Sequence, residues 1–450
     1  MDQMNEEAPA PVATTPPQAG EAHDRWWWVE QGIWTERMLS RLGSTEEQDQ
    51  IWFRLIDKVY APGNMESAYG KVMKNKGSAG IDGQSVEQFA KAKETELALL
   101  QRQLREGTYR PRPARRVWID KMGSKEKRPL GIPAVRDRIV QGALRHVVEP
   151  IFETIFAEHS YGFRPGKGAR GALKRVDQLL KSGRHWVVDA DLKSYFDTIP
   201  HERLMQLVKK QIADGRVIAL IESYLEAGVF EELKGWQASE TGTPQGAVIS
   251  PLLANLYLTP LDQQMEQKGW AMIRYADDFV ILCGSEAEAQ AALKAVEEWV
   301  QTAGLILHPE KTRIVDAAQK GGFDFLGYHF ERGMKWPRKK SMQKLRETIR
   351  QKTARLNGQS LGKIITEVNA VTRGWYGYFK HSKSSAFRTV DGYVRRRLRS
   401  LLRRRSGRKG ASHGGADNHR WPNKWFAAQG LLSLESEHEF TVTILKLKTH

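Results

Sequence analysis

The stretch "RYADDFVIL", residues 274–282, decides how this chain is read. Two adjacent aspartates, Asp277 and Asp278, sit in an apolar frame of Ile273, Phe279, Val280, Ile281 and Leu282. Such a frame belongs to a buried strand, and burying carboxylates beside it is costly unless positive charge compensates. Neighbours on a regular strand point to opposite faces. Both aspartates therefore share one site only at a tight hairpin turn between two apolar strands.

A third aspartate lies 86 residues upstream of Asp277: Asp191 in "VVDADLKSYFD" (187–197). Val187 and Val188 lead in as a strand, which puts Asp191 at a strand's end. Three carboxylates in one place raise one another's pKa. A pair of Mg²⁺ ions removes that conflict, because hard dications take oxygen ligands and fill open positions with water and phosphate. Two ions about 3.5–4 Å apart can clamp the attacking and leaving oxygens of an in-line phosphoryl displacement. A bare Asp-Asp is ordinarily a solvated turn; the apolar frame and the distant strand-terminal aspartate favour the metal reading here.

Composition narrows the class. At 450 residues the chain exceeds one compact core, and its formal charge of +17 points to a polyanionic partner, nucleic acid before acidic membrane. No apolar run approaches the roughly 18 residues of a membrane span. The one cysteine, Cys283, excludes a disulfide framework and a cysteine-ligated zinc, and fits a reducing cytoplasm. Residues 1–24 read as a disordered tail without signal-peptide order. "RWWWVEQGIW" (25–34), within an N-terminal extension over 25–60, reads as a helix docked on the main body in preference to a nucleic-acid contact.

Charge is uneven. Residues 331–410 hold 24 Lys+Arg against 4 Asp+Glu, an excess of 20, which leaves the rest at 17 − 20 = −3. A domain boundary is expected near 335. Before it, 65–83 reads as a helix closed by glycine turns, 115–133 as two strands around a polar turn, and 185–212 as a buried strand becoming a helix after Pro200. Residues 286–304 read as an amphipathic helix, and "GLILHPEKTRIV" and "FDFLGYHF" as further strands. After the boundary, "FRTVDGYVRRRLRSLLRRR" repeats Val390, Val394, Leu398 and Leu401 at helical spacing. Arg395, Arg396, Arg397, Arg399, Arg403, Arg404 and Arg405 cover its other faces. Seven arginines that close repel one another without phosphates to neutralise them. Trp375, Tyr376, Tyr378 and Phe379 read as core aromatics rather than base-stacking groups.

With these blocks in hand, the chain resembles the reverse transcriptases encoded by group II introns. "YADD" resembles their catalytic hairpin and "DADLKSYFDTIPH" their first metal-binding block. "NKGSAGIDG" (75–83), "HSYGFRPGKGARGAL" (159–173), "TPQGAVISPLLANLYL" (243–258), "GLILHPEKT" (304–312) and "FDFLGYHF" (323–330) follow the family's order. "RGWYGYF" (373–379) and "WPNKWFAAQGLLSL" (421–434) are similar to its thumb or maturase region.

The resemblance implies an α+β right-hand polymerase, with fingers and palm over 61–335 and a helical thumb or maturase domain over 336–405. A basic segment, 406–450, would follow, without the paired cysteines of the family's endonuclease domain. It implies that Asp191 and Asp277 bridge two Mg²⁺ ions (Mn²⁺ substituting), with Asp278 beside them and the Leu192 carbonyl adding a ligand. Lys121 and Arg128 would hold the incoming triphosphate. Phe196 would be the steric gate against a 2′-hydroxyl, and Gln245 and Gly246 would border the nucleotide. Arg164, Tyr275 and Lys311 would contact primer and template. The implied partners are group II intron RNA, a DNA target and primer, and deoxynucleoside triphosphates, in a nucleoid-associated, cytoplasmic setting. The basic helix, through Arg395, Arg396, Arg397 and Arg399, would bind the intron. A reverse transcriptase of retron or defence type, and a splicing-only maturase, stay open as alternatives.

Overall fold

A computed structural model of the chain describes residues 24–30, 32–43, 51–120, 127–232, 234–354, 358–407 and 415–448. Its strands, in chain order, are β1 (Ala114–Asp120), β2 (Lys127–Ile132), β3 (Trp186–Asp191), β4 (Val229–Glu231), β5 (Gly235–Gln237), β6 (Ala271–Tyr275), β7 (Asp278–Cys283), β8 (Arg313–Asp316), β9 (Phe323–Phe325), β10 (Tyr328–Glu331) and β11 (Met334–Pro337). The chain divides into two compact units at Ile314 and Val315. That is earlier than the compositional change near 335, because the β9–β10–β11 meander goes with the basic helices. The expected tail falls almost wholly outside the described residues, as does Lys121.

In the first unit the apolar runs become a palm sheet ordered β6-β7-β3-β8. β7 is buried along Phe279–Cys283 and flanked on both sides, which explains its unbroken apolar run. The helices Ser250–Gln267 and Glu286–Thr302 pack on this sheet. Ser285 caps the second by accepting from Glu288 N–H. The predicted hairpin over 115–133 is β1 and β2, antiparallel, in a second sheet ordered β2-β1-β4-β5. "GLILHPEKTRIV" forms a strand only at β8; upstream, Leu307 makes an isolated bridge with Leu192.

The tryptophan-rich segment docks on the body as expected, but not as a helix. Residues 24–26 form a single 3₁₀ turn, and regular helix starts at Glu36. Trp34 is 2% exposed, packs edge-on to Trp52 and donates its indole N–H to the His146 carbonyl at 3.0 Å.

The second unit is the meander followed by the helices Lys339–Lys352, Leu361–Phe379, Ser384–Arg405, Gly415–Arg420, Asn423–Ala428 and Leu434–Lys448. Val390, Val394, Leu398 and Leu401 join Ile364, Val368, Phe387, Phe426 and Leu434 in its core, with Trp375 and Tyr376 packed against them.

Candidate active site

The two-residue loop between β6 and β7 is Ala276–Asp277: Tyr275 and Asp278 are the last cross-strand pair before it. Ala276 lies in left-handed backbone, φ +58. On the other edge of β7, Asp278 stands directly opposite Asp191. The three aspartates therefore occupy adjoining ends of β3 and β7 and the turn between β6 and β7, as the sequence pattern requires. Burial pushes the Asp277 carboxyl up from the ordinary range and the charge of Asp191 adds to it, while Arg128 and Lys311 pull it back.

After Asp191 the chain bridges to residues 305–308. Lys193 N–H donates to the Ile306 carbonyl and His308 N–H to the Asp191 carbonyl, both at 2.8 Å, and this pairing leaves the Leu192 carbonyl between them unused. It also delivers Lys311, whose ammonium pairs with the Asp191 carboxylate. Among the described residues, no three His, Cys, Asp or Glu side chains are gathered tightly enough to form a ready-made metal cage.

The segments carrying Phe196, Gln245, Gly246 and Arg128 are stitched together by backbone. Thr243 N–H donates to the Phe196 carbonyl at 2.7 Å and Gly131 N–H to the Gln245 carbonyl at 2.6 Å. The "TPQG" loop thereby joins the Phe196 turn to β2, which presents Arg128 exposed. Gly246 has φ +106, and a Cβ there would meet the Gly131 carbonyl at 2.4 Å, so only glycine permits the contact. Phe196 is half-buried, edge-on to Tyr195. Sequence reading missed Arg116 on β1, whose charge opposes the burial that pushes Asp197 up, next to Phe196.

Beneath the turn the structure corrects one expectation. Arg164 is 7% exposed, and its guanidinium is committed to Glu153 and to the Ala157 and Ser160 carbonyls, which fits a brace rather than a template contact. Tyr275 is half-buried, its ring 6.3 Å from that of the exposed Phe163. Also missed was Arg274, a fully buried cation at 0% exposure whose charge is met by Asp262. It donates to Asp262 at 2.8 and 2.5 Å, to Asn255 Oδ1 at 2.9 Å and to the Ala276 carbonyl at 2.9 Å. A signal was there: Asn255 and Asp262 are seven residues apart and so share one helical face.

The arginine helix needs a second correction. Arg397 donates to the Thr353 hydroxyl and carbonyl, closing the end of the helix Lys339–Lys352. Arg399 is 8% exposed, donates to the Trp421 carbonyl at 2.9 Å and Asn423 Oδ1 at 2.8 Å, and lies over Phe426. Arg395 is half-buried beside Asp391 at 4.0 Å. Arg396 is exposed and stacks on Tyr393. Arg397 and Arg399 hold the unit together instead of facing an RNA.

Residues 119–330 match the family described as reverse transcriptase (RNA-dependent DNA polymerase), and residues 342–421 the group II intron maturase-specific domain. Protein YkfC of Escherichia coli is 34% identical over 338 residues, covering 66% of this chain and 87% of its own. The group II intron-encoded protein LtrA of Lactococcus lactis is 38% identical over 235 residues, 51% of this chain and 38% of LtrA. The mitochondrial nuclear intron maturase 2 of Arabidopsis thaliana is 30% identical over 231 residues, 43% of this chain and 31% of that protein.

Proposed function

Because the chain belongs to the group II intron-encoded reverse transcriptases and maturases, we propose that it copies RNA into DNA by a two-metal mechanism and assists the splicing and mobility of a group II intron. The observation that carries the polymerase half is the register of Asp191 opposite Asp278 with Asp277 in the adjoining turn.

The donor set fits Mg²⁺. Carboxylate oxygens crowd one another here and Lys311 supplies a cation at Asp191, a hard-oxygen donor set that suits an ion keeping water and phosphate ligands. Asp191 and Asp277 would hold the ions, with Asp278 and the Leu192 carbonyl beside them. Bound there, the metals supply Lewis-acid stabilisation of the attacking and leaving oxygens.

The chain's own residues do the rest. Arg128 offers a planar fork to the triphosphate, and Lys121 lies outside the described residues. Phe196, held by the loop carrying Gln245 and Gly246, would be the gate whose ring admits a deoxyribose and clashes with a 2′-hydroxyl. Tyr275 and Lys311 would contact primer and template. In the second unit, Arg396 and Arg404 offer exposed charge to intron phosphates.

The test is primer extension on an RNA template with deoxynucleotides and Mg²⁺, together with sequencing of the RNA that co-purifies. Extension plus a structured intron RNA supports both halves. A bound intron without extension would make the protein a splicing-only maturase.

A further inference from the structure

We propose that Arg274 is a positioning residue for the reaction: its buried guanidinium, fixed by Asp262 and Asn255, holds the Ala276–Asp277 turn in the conformation that sets the aspartates. The inference rests on the polymerase reading above.

The turn has an unusual problem. Ala276 sits at φ +58, where the Cβ of an L-residue crowds the backbone and glycine is the ordinary choice. Glycine would adopt this geometry unaided; alanine needs it imposed. Arg274 imposes it by donating from one guanidinium nitrogen to the Ala276 carbonyl at 2.9 Å, just past the strained residue. The same nitrogen donates to Asn255 Oδ1, and Asn255 donates its own amide to the Gly162 carbonyl at 2.7 Å.

Gly162 closes the circuit from the other side. A Cβ there would lie 2.3 Å from the Ala276 nitrogen, so the 161–163 loop lies flush against the turn. That loop is anchored by Tyr161 N–H donating to the Arg274 carbonyl at 2.8 Å and by Arg274 N–H donating to the His159 carbonyl at 3.0 Å. Both faces of the turn are therefore controlled from one residue. A buried Arg–Asp pair serving stability alone is often replaceable by apolar side chains. This one spends a guanidinium N–H on the backbone of the turn that bears Asp277. Functional groups must be held within about 0.5 Å of productive geometry, which is what such a brace supplies.

The experiment compares wild type, Arg274→Gln, Arg274→Lys and the double variant Arg274→Gln/Ala276→Gly. It measures kcat, the KM for deoxynucleotide, Mn²⁺ affinity of the free protein by calorimetry, and thermal unfolding. Arg274→Gln is expected to lower kcat about 100-fold, with KM changed less than about threefold, and to weaken Mn²⁺ binding about tenfold. Adding Ala276→Gly, which relieves the left-handed strain, should restore kcat and Mn²⁺ affinity about fivefold or more, while Tm recovers only in small part because Asp262 and Asn255 stay without their guanidinium donor. If Arg274→Gln does not fold, Arg274→Lys, which keeps charge but not the fork, is judged by the same criteria.

Wild-type kcat and Mn²⁺ affinity in a folded Arg274 variant overturn the proposal. So does loss of Tm and activity together with no rescue by Ala276→Gly, since that is packing alone. An inactive wild type would overturn the polymerase reading instead, and the Mn²⁺ comparison would still decide whether Arg274 sets the turn.

Discussion

Changing Arg399 to Gln should unfold the second unit at lower temperature and leave the salt dependence of RNA binding almost untouched. The guanidinium is 8% exposed, so its bonds to the Trp421 carbonyl and Asn423 are not exchangeable for water without rearrangement. Hydrogen bonds involving a charged group contribute about 1.5–3 kcal/mol each, and losing the one to Trp421 leaves a carbonyl short of its donor. With the lost contact over Phe426, a net cost of about 3 kcal/mol follows. For a unit of this size that lowers Tm by roughly 10 °C. Arg396→Gln is the matched control: exposed, it should move stability by less than about 0.5 kcal/mol. It should instead lower the slope of log affinity against log salt by about 0.7–0.9 if it meets one phosphate. The assay is thermal unfolding of both variants and RNA binding across a salt series on the same preparations. An unchanged Tm for Arg399→Gln with a flattened salt slope would refute the reasoning and return Arg399 to the RNA surface.

Two other outcomes are expected. Phe196→Ala should let ribonucleotides compete with deoxynucleotides, read from single-nucleotide incorporation; incorporation no better than wild type would make Phe196 a packing residue. Asp214 caps the helix Gly215–Glu226 and also accepts from Leu55 and Ile56 N–H. Burial pushes its carboxyl up, but the backbone N–H donors of Leu55, Ile56, Arg216 and Val217 outweigh it and hold the pKa below the usual value. The stabilisation is therefore complete above the ordinary carboxylate pKa and lost as pH falls through the depressed one. Asp214→Ala should cost about 1–2 kcal/mol at neutral pH, a difference that shrinks in acid melts; a constant difference across pH would count against it.

Much of the site was legible in the sequence because it depends on local rules. An Asp-Asp pair between apolar strands marks a hairpin, with Asp277 in its loop and Asp278 opening β7, and Asp191 closes the buried strand β3. Glycines at 162 and 246 were visible in their blocks, yet the close approaches that require them involve Ala276 and Gly131, far away in the chain. Arg164, Arg397 and Arg399 were misread for a related reason. Helical spacing separates Leu398 from its arginine neighbours but does not say which polar face a later segment covers. Residues 417–434 return to that helix, so Trp421 and Asn423 meet Arg399, and Asp391 caps the helix Leu434–Lys448 through Leu434 and Glu435 N–H. The tryptophan segment was placed correctly on the body but given too much helix, since its indoles pack from turns.

The central claim, that the three strand-end aspartates carry RNA-templated DNA synthesis, is tested most directly by Asp277→Asn in primer extension on an RNA template. Because the folded protein holds this carboxyl's pKa above its ordinary value, ionising it weakens stability as pH rises past the ordinary range, a penalty complete above the raised pKa. The amide removes that penalty, so Tm without divalent ions at neutral pH should hold or rise. Extension should fall by at least about 100-fold through loss of a charged ligand to the metals. Near wild-type extension by a folded Asp277→Asn protein would contradict the account.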